Sequence, residues 1–347
     1  MQMRELNEYP QPAVLAAGDR ILAVNEKAAE LFRNLEIGGE LPDELCGVQG
    51  SWEGSVTLEG RFYRVAATVR EEHTLYLIAP VEQQALGEGQ LDGALYQMRL
   101  LMGDFRRELA PYAKGERDRF AAEDMEQFTR SYYRMLRLMD HMDLLRDAAA
   151  GQLRSNRERL DLDRLCAMAA MECGSLLGEI GITVEYHAPT GAVPVVGDGV
   201  MLRDALLELI SNCARRRQQG GVLKLSLSCK GKWAQICVTD DGDAPTAREK
   251  LGLTGRGVMP LIPGPERGAG LGLSAAEAIV RHHGGALLVS TGEGAPSVYL
   301  TLPVAGRSSE RLSLNSPSPE RNAGMNPYLI ALSDVLPGEM IREDWKE

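Results

Sequence analysis

The sequence has little of what marks nucleic-acid-binding, membrane or secreted proteins. Its 347 residues carry 38 Lys and Arg against 49 Asp and Glu, and the net charge of −11 disfavours non-specific nucleic-acid binding, which needs a basic face. The best apolar candidate, TLYLIAP, is too short to span a bilayer, and the N-terminus lacks a secretory apolar stretch. We therefore expect a cytoplasmic protein with no nucleic-acid partner and no membrane insertion.

Paired cysteines are also missing. The six cysteines are scattered without a CxxC motif, which predicts reduced thiols and argues against a disulfide framework or a zinc site. Aromatic residues make up only 5%, but 44% hydrophobic and 25% charged residues are ordinary for a globular protein and argue against wholesale disorder. At roughly 150 residues per domain, the length predicts two or three domains.

The N-terminal half divides into two patterns. Residues 1–85 predict a small mixed domain with a helix at 25–32 and strands at 14–15, 21–24, 62–69 and 74–78. Residues 86–155 predict a helical hairpin, with a break at 113–117 and apolar stripes at Leu95, Met98, Met102, Phe105 and Leu109 and again over 128–145. Two helices bury such broad faces poorly, so we expect a second copy to complete a four-helix bundle.

The C-terminal half predicts an α/β domain followed by a tail. Within residues 156–304, helices are expected at 162–177, 200–216 and 273–283, and strands at 183–186, 223–229, 234–239, 286–290 and 298–302. In the tail, residues 305–347, the first part is rich in Ser, Pro and Asn and is expected to be disordered. Residues 327–347 are expected to form a short docking segment.

Three segments of the α/β domain carry candidate chemistry. On the helix at 200–216, Asp204, Glu208 and Asn212 fall on one line and could hold magnesium and a triphosphate, although a solvated polar face would look the same. In VTDDGDA, the strand-end carboxylate of Asp240 could accept a hydrogen bond from an exocyclic amine, or it could belong to an acidic turn. In GAGLGL, glycines could expose backbone N–H groups to phosphate at a helix N-terminus, which alone is weak evidence.

The order of these segments is more specific than any one of them. VVGDGVMLRDALLELISNCARR, VTDDGDA, GAGLGLSAAEAIVRHHGG and SVYLTLP follow one another as in the catalytic domain of sensor histidine kinases, which they resemble. That domain is the Bergerat ATP-binding fold of the GHKL superfamily. Upstream, RMLRLMDHMDLLRDAAAGQL resembles the second helix of the kinase dimerisation hairpin, and PAVLAAGDRILAVNEKAAELF resembles the opening of a PAS sensor domain.

The resemblance implies an α+β multidomain fold: a PAS-like α/β domain at 1–85, an antiparallel helical hairpin forming a dimeric four-helix bundle at 86–155, a two-layer α/β sandwich at 156–304 and a flexible tail at 305–347. It implies ATP and Mg²⁺ as cofactors, a homodimer, and a response regulator or a kinase as partner. By position it implies Asn212 as magnesium ligand, Asp240 as adenine reader with Gly242 beside the base, Arg215 as phosphate contact, and Gly268, Gly270, Leu271 and Gly272 in the phosphate lid.

The sequence departs from the family where kinases carry their phosphoacceptor histidine. The first hairpin helix contains no histidine, and Tyr96 occupies the acceptor position. A phenol with a pKa of about 10 is a poor nucleophile at neutral pH, so we expect histidine autophosphorylation to be degenerate. Ala244 also replaces the second glycine of the DxGxG motif, and the lid lacks a phenylalanine motif. These changes leave the adenine and magnesium positions in place.

Glu208 favours a different chemistry. Hydrolytic GHKL members carry a glutamate at this position, where most sensor kinases have asparagine, and such a carboxylate can act as general base on water. Glu208 could equally be one more acid at the magnesium site. The alternatives to a degenerate kinase are therefore an ATPase that uses Glu208, or a non-catalytic scaffold that binds a response regulator or partner kinase.

Overall fold

The computed structural model describes most of the chain. The described residues are 6–32, 35–46, 50–59, 61–80, 94–95, 98–107, 122–189, 191–217, 220–242, 271–290, 297–306 and 325–343. In these ranges no helix is both long and apolar enough to cross a membrane.

The N-terminal region folds as an antiparallel sheet of five strands in the order β2-β1-β5-β4-β3. Its elements are β1 Ala13–Ala17, β2 Arg20–Val24, α1 Glu26–Leu31, β3 Trp52–Leu58, β4 Arg61–Arg70 and β5 His73–Pro80. The predicted hairpin and helix are confirmed: Gly18 takes a φ of 57° at the turn, and Asn25 caps α1 by accepting from the Ala28 N–H. The sequence analysis missed β3, because glycines surround it.

The hairpin region contains helical residues 98–107 and the long helix α2, Ala122–Ala149. They meet in an apolar cluster that joins Ala94 and Leu101 to Leu138 of α2 and to Leu271. In the predicted stripe on the first helix, Leu95 and Met102 are 38% and 60% exposed in the single chain. The buried positions, Ala94 and Leu101, lie on a neighbouring line of the helix.

The C-terminal region builds a second five-stranded sheet, in the order β11-β12-β10-β9-β7, which is antiparallel except for the β7–β9 pair. Its elements are β6 Glu158–Asp161, α3 Leu162–Gly178, β7 Ile182–His187, β8 Pro194–Gly197, α4 Gly199–Arg216, β9 Gly221–Lys230, β10 Trp233–Asp240, α5 Leu271–His282, β11 Ala286–Ser290 and β12 Ser297–Pro303. All three predicted helices and five predicted strands are present. The short pair β6–β8 was not predicted.

A single core packs α3, α4 and α5 against one face of this second sheet. Alternate residues of β10 (Ala234, Ile236 and Val238) point into the core, as their period of two requires. The apolar face predicted for α4 is confirmed by the burial of Met201, Leu202, Ala205, Leu206, Leu209, Ile210 and Cys213. Two further helices, α6 Pro327–Leu332 and α7 Gly338–Glu343, complete the fold.

His283 ties the end of α5 to the start of α4. Its Nδ1 donates to the carbonyl of Ile279 at 2.7 Å, and its Nε2 accepts from the Asp198 N–H at 2.9 Å. This bonding requires the neutral imidazole, because a protonated ring has no acceptor. Burial is the main reason why the pKa of His283 is lowered, with Arg157 and His282 adding to it.

The two sheets join edge to edge through β3 and β11, which makes one sheet of ten strands. Gly54 faces Leu288 in this pair, and a Cβ at position 54 would lie 2.9 Å from the Leu288 Cα and closer still to the Leu287 carbonyl oxygen. Leu288 is itself buried in the apolar cluster of the N-terminal sheet. The junction therefore depends on a residue without a side chain.

We predict that Gly54→Val opens the β3–β11 junction. Overpacking costs about 1–3 kcal/mol in a tight site, and here two of the three nearest atoms are backbone atoms that cannot rotate away. Hydrogen exchange of β11 amides should rise in the variant, and its thermal midpoint should fall. Gly178→Ala is the matched control, because a Cβ at that exposed helical position meets nothing within 4 Å. Unchanged exchange in β11 would contradict the prediction.

We also predict an acid-sensitive stability from His283. Because its folded pKa lies below the unfolded value of about 6.5, the unfolded chain binds more protons as pH falls through 6.5. Stability should therefore drop on acidification, by at most about 1.4 kcal/mol per pH unit from this group. Denaturant unfolding between pH 7.5 and 5.5 should show a smaller drop for His283→Gln than for the wild type. His187→Gln, at an exposed histidine, should keep the wild-type drop.

Candidate nucleotide site

Three elements bring the predicted site residues to one side of the second sheet. Helix α4 supplies Glu208 and Asn212, the end of β10 supplies Asp240, and α5 begins at Leu271. Asp198 starts α4 by accepting from the N–H groups of Val200 and Met201, which fixes the position of the helix. The site is therefore built on regular elements of the core.

Glu208 is buried, with only 7% of its surface exposed. The alternative interpretation of the polar line on this helix as a solvated face was therefore wrong for Glu208. Arg137 of α2 donates to both carboxylate oxygens, at 2.6 Å and 3.1 Å, and His141 Nε2 lies 2.9 Å from Oε1. Burial alone would raise the pKa of Glu208. The charges and hydrogen bonds of Arg137 and His141 outweigh it and hold that pKa well below its usual range.

Asn212 lies one turn further along α4. Its Oδ1 accepts a hydrogen bond from Arg215 Nη2 at 2.9 Å, so two predicted ligand-binding side chains are paired with each other. Carboxamide and carboxylate oxygens are the hard ligands that magnesium takes. The described residues contain no group of three or more His, Cys, Asp or Glu side chains that could hold a metal ion. A magnesium ion here would depend on nucleotide phosphates for most of its ligands.

Asp240, the last residue of β10, is buried at 2% exposure. Its Oδ1 accepts from the Gly242 N–H at 2.9 Å, and its Oδ2 pairs with Arg216 Nε at 3.3 Å. A Cβ on Gly242 would lie 2.6 Å from Oδ1, so only glycine allows the chain to pass this close to the carboxylate. The arrangement offers a buried acceptor beside exposed backbone, which suits a flat base carrying an amine.

The start of α5 lies against Glu208. A Cβ on Gly272 would overlap the Glu208 carboxylate, so glycine is required there by close approach. The Leu271 side chain is buried against the hairpin, in a cluster with Leu101 and Leu138. Gly268 and Gly270, together with Ala244 and the rest of the lid, lie outside the described residues, and so does Tyr96.

The sequence analysis missed the partners of Glu208. Arg137 lies within the segment that resembles the second hairpin helix, and nothing in its spacing pointed to α4. His141 was interpreted as a structural helix residue, and its contact with Glu208 was not anticipated. Their i and i+4 spacing predicts that both side chains lie on one face of α2, but it does not identify Glu208 as their partner.

Known proteins are similar to this chain in sequence and in fold. Residues 197–306 match the family described as histidine kinase-, DNA gyrase B-, and HSP90-like ATPase. The adaptive-response sensory kinase SasA of Prochlorococcus marinus (strain MIT 9303) is 29% identical over 158 residues, covering 45% of this chain and 43% of that protein. SasA of Synechococcus sp. (strain CC9902) is 26% identical over 214 residues, covering 60% of this chain and 56% of that protein.

The chain thus spans about half the length, or less, of these curated relatives. Among solved structures, the Acinetobacter baumannii histidine kinase AdeS superposes with a TM-score of 0.50 at 18% identity, covering 61% of this chain and 98% of that one, which shows a shared fold. The chain is therefore similar in sequence to sensory kinases over part of its length, and its residues 197–306 match the histidine kinase-, DNA gyrase B-, and HSP90-like ATPase family.

Proposed function

We propose that this chain binds Mg·ATP in the α4–β10–α5 site and signals as a dimeric, histidine-kinase-like protein of the two-component type. The observation that carries the proposal is the geometry of the site. A buried carboxylate and a close-approach glycine, Asp240 and Gly242, stand at the end of β10. Glu208, Asn212 and Gly272 stand where α4 meets α5.

Each residue has a role that its chemistry supports. Asp240 accepts from the exocyclic amine of adenine, and Gly242 lets the base lie against the backbone. Asn212 offers an oxygen to magnesium, with Glu208 as a second ligand, and Arg215 stands one turn away for phosphate. Bound magnesium would neutralise phosphate charge and fix the triphosphate. The pairings Arg215–Asn212 and Arg216–Asp240 give way when the nucleotide enters.

Exposed apolar side chains on the hairpin support dimerisation. Leu95 and Met102 on the first helical stretch, and Met139 on α2, are 38%, 60% and 48% exposed in the single chain. Large apolar side chains on neighbouring helices are typical of an association surface. A second copy packing there would form the four-helix bundle. The five-stranded sheet with α1 beside it supports a PAS-like sensor role for the N-terminal region, and a response regulator or kinase is the proposed partner.

The pairing of Glu208 with Arg137 favours a non-catalytic, scaffold-type protein over an ATPase. Both of its oxygens are paired, and a carboxylate with a strongly lowered pKa is a weak general base. The first hairpin helix offers only Tyr96 at the acceptor position. Nucleotide binding would then change conformation and partner docking, without phosphate transfer to a first-helix histidine.

We predict that Asn212→Ala and Asp240→Asn each weaken Mg·ATP binding by about ten- to a hundredfold. Each loses a charge-assisted or metal contact worth about 1.4–2.7 kcal/mol. Isothermal titration calorimetry measures the dissociation constants. Asp241→Asn is the matched control, because its carboxylate is exposed and pairs with Arg217. A folded wild-type chain that binds no ATP in the presence of magnesium would contradict the proposal.

We also predict that γ-labelled ATP with magnesium gives neither protein-bound label nor free phosphate. The reasons are the absent first-helix histidine and the engaged Glu208. Tyr96→Phe and Glu208→Ala are run alongside the wild type. Acid-labile label on the protein, at His141 or elsewhere, would restore an active histidine kinase. Phosphate release that is lost in Glu208→Ala while binding is kept would establish the ATPase alternative.

A further inference from the structure

The C-terminal segment, residues 325–343, lies outside the region matched to the ATPase family and packs against both α2 and α4. Its buried apolar side chains belong to the core of the second sheet: Leu329, Ile330, Ala331, Leu332, Leu336 and Ile341. A Cβ on Gly338 would lie 2.6 Å from the Glu126 carbonyl oxygen, so α7 begins directly against the α2 backbone. The segment therefore fills the space between the hairpin and the ATP-binding domain.

Three arginines of α2 hold the turn between α6 and α7. Arg130 Nη2 donates to the Leu336 carbonyl at 2.7 Å, and Arg134 Nε pairs with Asp334 Oδ1 at 2.9 Å. Arg137 Nη1 pairs with Asp334 Oδ2 at 2.8 Å. Their spacing of four and three residues places all three on one face of α2. Asp334 therefore forms ion pairs with both Arg134 and Arg137.

The same turn reaches the predicted magnesium site. Arg137 uses Nη1 for Asp334 and its remaining donors, Nε and Nη2, for Glu208. On α4, Ser211, which precedes Asn212, donates to the Ala331 carbonyl at 2.7 Å. Arg137 is permanently charged, and burial is outweighed by Glu208 and Asp334, which raise its pKa. The guanidinium of Arg137 therefore binds both the C-terminal segment, at Asp334, and the predicted site, at Glu208.

We propose that the C-terminal segment is a clamp that holds α2 against α4 and keeps Glu208 bound to Arg137 instead of magnesium. Asp334 is the positioning residue and acts through Arg137. The inference rests on the proposed function, because Mg·ATP is taken as the ligand that competes. Two states that exclude each other are coupled reciprocally, so a weaker clamp gives tighter Mg·ATP binding and Mg·ATP loosens the clamp.

The test is Asp334→Asn in the full chain, a nearly isosteric change that removes both ion pairs. We expect its dissociation constant for Mg·ATP to fall about fivefold, the lower end of typical coupling between sites. Hydrogen exchange without nucleotide should rise in residues 327–343 and in the facing part of α2. Saturating Mg·ATP should raise exchange in the same residues of the wild type.

Three further variants separate the clamp from other causes. Asp334→Glu keeps the charge and should restore part of the wild-type affinity. Glu339→Gln removes the same charge from an exposed position of α7 and should change nothing. Ile341→Ala loosens the segment by a cavity without changing charge, far along the chain from Glu208, and should tighten binding in the same direction as Asp334→Asn.

The outcomes distinguish the clamp from a structural role. A merely structural Asp334 would lower the thermal midpoint and leave the dissociation constant unchanged or raised, and that result would overturn the inference. Equal tightening in Glu339→Gln would overturn it too, because net charge would then explain the effect. If the wild type binds no Mg·ATP, the proposed function fails. In that case, increased hydrogen exchange of α2 in Asp334→Asn would still show that the segment holds the hairpin, and unchanged exchange would show that it does not.

Discussion

Arg137 makes the contact on which the relation between hairpin, ATP-binding domain and C-terminal segment depends. Its guanidinium spans Glu208 of α4 and Asp334 of the segment while it is carried by α2. This buried charge is compensated by the two carboxylates, and His141 bonds the Glu208 carboxylate in turn. Each carboxylate binds a different edge of the guanidinium, so both are needed to satisfy the donors of Arg137. Three separate parts of the chain are therefore ordered together.

The β3–β11 pair joins the N-terminal region to the domain that is built on the second sheet. This pair extends the second sheet into the N-terminal region, and Leu288 buries its side chain in the N-terminal core. Lys230 adds a hydrogen bond from its Nζ to the Cys46 carbonyl at 2.7 Å. The domain built on the second sheet thus contacts the N-terminal sheet along one edge and α2 on its helical side. β11, which pairs with β3 of the N-terminal sheet, directly follows α5 in the sequence.

The sequence predicted regular elements well where one local pattern dominated. Alternation in β10 and the apolar face of α4 reflect a single core, so the predicted and observed elements agree within one or two residues. The ordered motifs also placed Asn212, Asp240 and Gly242 on the correct elements. The pairings that decide the state of the site could not be predicted, because Arg137 and Asp334 lie 71 and 126 residues from Glu208 and only the tertiary fold brings them together. β3 was missed for a related reason: Gly54 weakens its strand pattern, and the need for glycine exists only opposite β11.

The chemistry of the site follows from how its polar groups are satisfied before any ligand arrives. Glu208, Asn212 and Asp240 each have a cationic side chain of the same chain as partner: Arg137, Arg215 and Arg216 respectively. Under the proposed function, Mg·ATP would have to replace these partners with magnesium, phosphate and adenine, and its net affinity would be the difference between two sets of strong contacts. The exchange is least favourable at Glu208, where the partner is fixed by Asp334 and by the apolar burial of α6 and α7. If the output is conformational, as proposed, that balance would set how nucleotide occupancy is converted into movement of α2, the helix that carries Arg137.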